Sequence, residues 1–114
     1  EMNDPHLIVL TILDGLLKSM QIFEDNIDVR TGGDQELKSK HFARALTIIY
    51  ALQSSLDFEK GEPVATNLFQ LYEFARQQMI ADLGKGAAEG TPKAKHALSE
   101  IRDAWQAIGV EVKK

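Results

Sequence analysis

At 114 residues, 44% of them hydrophobic and 26% charged, the chain has the size and composition of one soluble domain, residues 1–114, able to bury a single core. It has no cysteine, which excludes disulfides and thiolate metal sites, and a net charge of −4 with no basic block disfavours nucleic acid as a partner. No apolar run approaches the ~20 residues of a membrane span, and Glu1-Met2-Asn3-Asp4 lacks the positive region of a signal peptide, so a cytoplasmic protein is expected.

Four helices follow in chain order. Asp4-Pro5 is an N-cap carboxylate followed by a proline in the first turn. Val9, Ile12, Leu16, Met20, Phe23 and Ile27 then keep helical spacing as the first core stripe. Gly15 lies within that helix at a cost of about 1 kcal/mol against alanine, which suggests a close helix approach. The loop from Asp28 to Gly33 stops it. Asp34 caps a second helix with Phe42, Ala45, Ile49, Leu52 and Leu56 on one face. After a turn containing Gly61, Pro63 opens a third, with Val64, Leu68, Leu71, Ala75, Met79 and Leu83 as its core face. Gly84-Lys85-Gly86 ends it. Thr91-Pro92 repeats the start signal, Ala94, Leu98, Ile101, Trp105 and Ile108 form the last stripe, and Gly109 is expected to end it. Helices of about 20 residues joined by short loops predict an all-α, antiparallel up-down-up-down four-helix bundle.

Three of these helices carry more apolar surface than a bundle needs. Leu10 and Leu17 lie beyond the first stripe, with Leu13 bridging to it. Leu46 and Tyr50 flank the second stripe, with Ile48 on its other side. Phe69 and Ile80 point away from the third, Tyr72 lies between, and Phe74 occupies the opposite flank. Periodicity alone is consistent with wide core faces, with self-association, or with grooves for an amphipathic partner helix.

Catalytic and metal chemistry find no support. A di-iron bundle needs Glu-x-x-His pairs, yet Lys38 and Lys93 stand three residues before His41 and His96. His96 and Glu100 read as a solvated surface pair, and Asp14 as an interhelical hydrogen-bonding group. The glycine clusters lack phosphate-loop spacing. Lys93, Lys95 and Arg102, with Lys113 and Lys114, form a modest basic patch. No enzyme, cofactor or metal is expected.

Three stretches together resemble the FliS family of flagellin export chaperones. Pro5 to Leu17, with Asp14-Gly15, is similar to the family's opening Ser-Pro and apolar helix ending Leu-Tyr-Asp-Gly. Arg44-Ala45, Ile48-Ile49 and Ser55-Leu56-Asp57 lead to Asn67-Leu68-Phe69-Gln70-Leu71-Tyr72-Glu73-Phe74, similar to Asn-Leu-x-x-Leu-Tyr-x-Tyr. Ile101-Arg102-Asp103-Ala104-Trp105 resembles Phe-Arg-x-Ala-Trp. Leu13, Asp4, Ile101 and Phe74 depart from the pattern by apolar or capping exchanges. The resemblance implies a bundle that holds the disordered C-terminal region of flagellin in apolar grooves, prevents premature polymerisation, and engages an export gate component or co-chaperone. On that implication the client contacts are Leu10, Leu13, Leu17, Leu46, Tyr50, Phe69, Tyr72 and Ile80. The alternative is a helical adaptor or self-associating bundle with a different amphipathic partner.

Overall fold

The computed structural model describes residues 4–113, and side chains as far as Ile108. Expectations that concern Glu1 to Asn3, Lys114 and the side chain of Lys113 fall outside the described part. The chain folds into α1 (Pro5–Asp25), α2 (Gln35–Ser54), α3 (Val64–Lys85) and α4 (Thr91–Lys113), with one 3-10 turn at Val29–Thr31. Among the described residues there is no strand. α1 packs on α2, α2 on α3, α3 on α4 and α4 back on α1.

Four contacts define the direction of each helix. Beyond the end of α1, the Ile27 carbonyl accepts from Lys38 Nζ near the start of α2 at 2.7 Å. Gln53 at the end of α2 donates to the Phe69 carbonyl near the start of α3 at 3.4 Å. Asp82, late in α3, accepts from the Thr91 N–H that opens α4 at 2.8 Å. Trp105, late in α4, donates to the His6 carbonyl at the start of α1 at 2.9 Å. Each end meets the next beginning, so the bundle runs up-down-up-down.

The helix starts follow from their caps. Asp4 Oδ1 accepts from the His6 N–H at 3.0 Å, and Asp34 Oδ1 from the Leu37 N–H at 3.1 Å. α3 begins at Val64, with Pro63 at the cap position rather than inside the helix. There the Gly61 carbonyl accepts from the Ala65 N–H, and Glu62 Oε1 accepts from the Thr66 N–H, both at 2.8 Å. α4 extends past Gly109 to Lys113. An internal glycine costs only about 1 kcal/mol against alanine, too little to terminate a helix by itself.

Leu16, Met20, Phe23, Ala45, Ile49, Ala75, Met79, Ala94 and Leu98 are almost completely buried and form the shared core. Val9, Ile12, Phe42, Leu56, Leu68 and Leu71 pack partly buried against it. The sequence stripes overreach at the ends: Val64, Leu83 and Ile108 are exposed. Helical spacing runs on toward the helix ends, but burial there is lost. α1 is in fact long and apolar enough to cross a membrane, against the expectation from its sequence. In the bundle its apolar face, from Leu13 to Phe23, is packed against the other helices. At Gly15, Ile48 Cδ1 lies 3.9 Å from where a Cβ would stand, which is ordinary contact rather than a forced approach.

Candidate functional site

The seam between α1 and α4 is bridged by polar and aromatic contacts. Arg102 holds Asp14 with two contacts, Nε to Oδ1 at 2.6 Å and Nη2 to Oδ2 at 3.3 Å. Lys95 Nζ donates to Glu24 Oε2 at 2.7 Å and also to Gln21. The His6 ring stacks on Trp105, centroids 4.8 Å apart and planes 9° from parallel. Two of the cations in the supposed basic patch, Lys95 and Arg102, are therefore engaged inside the fold. His96 and Glu100 remain a solvent-exposed pair at 3.8 Å.

The seam between α2 and α3 is different. Leu46, Tyr50 and Gln53 follow one another at i, i+4, i+7 along α2. Phe69, Glu73, Arg76 and Ile80 do the same along α3 at i, i+4, i+7, i+11. Tyr50 is 72% exposed, Ile80 43% and Phe69 39%, while Leu46 packs partly buried against the core. Phe58, in the turn before α3, meets Phe69 edge-on at 6.0 Å. Gln53 Nε2 crosses the seam to Glu73 Oε1 at 3.3 Å. Arg76 Nε donates to the same oxygen at 3.0 Å, while Arg76 Nη2 and Gln77 donate to Oε2. Held by the Arg76 guanidinium and then by Gln53, the Glu73 carboxyl titrates at about 2 and stays ionised at neutral pH.

At one end of the bundle an apolar pocket of about 290 Å³ opens to solvent. Val9 and Leu13, Leu52 and Leu56, Val64 and Tyr72, and Ile101 and Trp105 bring all four helices to its wall. Burial raises the Tyr72 pKa above that of an ordinary phenol, so the hydroxyl is protonated throughout the physiological range.

Among the described residues no group of three or more His, Asp or Glu side chains could hold a metal ion. A family model for "Flagellar protein FliS" matches residues 1–112. The chain belongs to the FliS family. A flagellar secretion chaperone FliS from Salmonella typhimurium is 28% identical over 109 residues, covering 91% of this chain and 76% of that protein. One from Vibrio cholerae is 29% identical over 107 residues, covering 94% and 76%.

The FliS bundle distributes the eight expected contact residues among three places. Leu46 and Tyr50 share the stripe of α2 that carries Gln53, and Phe69 and Ile80 the stripe of α3 that carries Glu73, which Gln53 joins across the seam. Leu13 and Tyr72 are 1% and 4% exposed, members of the core that also line the end pocket. Leu10 and Leu17 share the flank of α1 that carries Asp14, Gln21 and Glu24, whose contacts reach α4. The eight differ in exposure, because a helical angle fixes a residue's direction but not which neighbour covers it. Asp14 is the interhelical group its position suggested.

Several polar residues went unread in the sequence. Asp82 is 1% exposed and accepts from the backbone N–H groups of Glu89, Gly90 and Thr91 at 2.8–3.2 Å. Burial raises its pKa, but those three donors outweigh burial and leave it below the usual aspartate value. An acid in the last turn opposes the helix dipole, and that local conflict was the available signal that it serves another element. His41, whose Nδ1 lies 3.1 Å from Ser19 Oγ, is held below the ordinary histidine pKa by burial and by Lys40, Arg44 and Lys18. It joins α1 to α2 as a neutral ring.

Proposed function

We propose that this FliS bundle is a cytoplasmic, non-enzymatic chaperone for flagellin, taking the C-terminal region of the subunit as an amphipathic helical client. The observation that carries the reading is the row of exposed apolar residues Tyr50, Phe69 and Ile80 along the α2–α3 seam of a chain whose family is flagellar. An apolar helix face in water is poorly solvated and pairs with its own kind; a preformed groove supplies the surface it would otherwise find in another subunit. Burial of client side chains along the seam offsets an ordering cost of about 2–5 kcal/mol. The end pocket, walled by Leu13 and Tyr72, accepts a client apolar side chain. Release then occurs when an export gate component or co-chaperone competes for the client or the bundle. Leu10 and Leu17, on the stripe of α1 that carries Asp14, support the groove indirectly through helix packing.

Calorimetric titration with the C-terminal segment of flagellin from the same genome tests this, with the N-terminal segment as control. Saturable binding to the C-terminal segment alone, accompanied by a rise in helicity, is expected. Absence of binding at tens of micromolar would transfer the function to a different helical partner.

A further inference from the structure

The polar group in the middle of the α2–α3 seam has an unequal capacity for further bonds. A carboxylate offers about four acceptor positions. On Glu73 they are filled by Gln53 and Arg76 Nε at Oε1, and by Arg76 Nη2 and Gln77 at Oε2. Arg76 uses two of its five N–H groups in these bonds, both toward Glu73, which leaves about three. Its side chain is 41% exposed, between Phe69 and Ile80 on the same stripe of α3. The charged capacity still open to a partner is thus wholly donor capacity, aimed by a fixed ion pair and flanked along the helix by apolar residues.

We propose that Arg76 is a specificity and register determinant for the client: it donates to a hydrogen-bond acceptor, a side-chain carboxylate or the terminal carbonyls of the client helix, lying in the α2–α3 seam. This inference rests on the flagellin reading and names the chemistry of its recognition. Apolar grooves alone permit a helix to slide by a turn, whereas one polar group in an otherwise apolar seam penalises every register that leaves it unpaired. Glu73 acts through Arg76. With its acceptor positions filled it has little to offer a client lysine, and its bonds hold the guanidinium in one orientation. The arrangement therefore selects against a basic residue at that point of the client and in favour of an acceptor.

The test titrates the flagellin C-terminal segment into the wild-type chain and into R76A, R76Q and R76K, with thermal melts to confirm that each variant is folded. R76A and R76Q are expected to bind about tenfold more weakly, with a shallower salt dependence, and R76K to recover only part of the loss. Client variants with each Asp or Glu changed to its amide separate the two sources of the acceptor. A carboxylate partner appears as one position whose amide costs about tenfold in the wild type and nothing in R76A. Terminal carbonyls appear as weakening by R76A that no amide variant reproduces. Wild-type affinity and salt dependence in R76A would overturn this inference and leave the flagellin reading standing. Failure of the wild-type chain to bind the segment would overturn both.

Discussion

Two of the four interhelical seams of this bundle, α1–α4 and α2–α3, use their side chains differently. Between α1 and α4, charged residues reach across and are answered: Asp14 by Arg102, Glu24 by Lys95, with His6 stacked on Trp105. Between α2 and α3, among the described residues, Gln53 is the side chain that hydrogen-bonds across, and the ionic contact lies within α3, Glu73 with Arg76. Apolar side chains above that bridge are left in water, Tyr50 most of all at 72% exposure. A seam completed by its own chain needs no partner. A seam with apolar edges and a polar centre is organised but incomplete, which suits it to the client proposed for it.

If this contrast is right, perturbing the shared core and perturbing the open seam must have separable consequences. Leu98→Ala removes a fully buried side chain from α4 and should destabilise the bundle by about 2–5 kcal/mol in urea unfolding, with no specific effect on client contacts. Tyr50→Asp and Phe69→Asp should weaken client binding by about 2 kcal/mol or more while leaving helicity and the melting transition close to wild type. Loss of helicity in either variant would assign that residue to the core. Asp82→Ala leaves three N–H groups at the start of α4 without their acceptor and should cost about 1–3 kcal/mol.

The carboxylates also set an acid limb. Glu73 falls from 4.5 to about 2 on folding, and Asp82 is likewise depressed. Each prefers the folded state when ionised, so its contribution is complete above its unfolded pKa and is lost as pH falls through the folded value. For Glu73 that window runs from about pH 4.5 down to about 2. Urea unfolding across it should show a shallower loss in E73Q than in the wild type. The smallest effect belongs to the α1–α4 seam: a double-mutant cycle on Asp14 and Arg102 should give a coupling of about 0.2–1 kcal/mol, because Asp14 is 48% exposed.

The fold was largely legible because its signals were local and consistent. Asp4 and Asp34 cap where their positions require, and the stripes from Leu16 to Phe23 and from Ala45 to Leu52 are buried as their spacing predicts. The candidate site was legible only in half. Tyr50, Phe69 and Ile80 are exposed as the surplus stripes suggested, but Leu13 and Tyr72 are buried, and Leu10 and Leu17 are partly buried. An apolar residue at the edge of a helix face reads the same whether another helix covers it or not. The polar centre of the seam was invisible for another reason. Glu73 and Arg76 look like an ordinary surface pair three residues apart until Gln53, twenty positions earlier, is brought against them.

The proposed place for the client is the α2–α3 seam. The most direct measurement is amide and methyl chemical-shift mapping of the bundle during titration with the flagellin C-terminal segment. Saturating shifts concentrated on Leu46 to Gln53 and Phe69 to Ile80 are expected, with the methyls of the end pocket following. Saturating shifts centred instead on the α1–α4 seam, around Asp14 and Arg102, would contradict it.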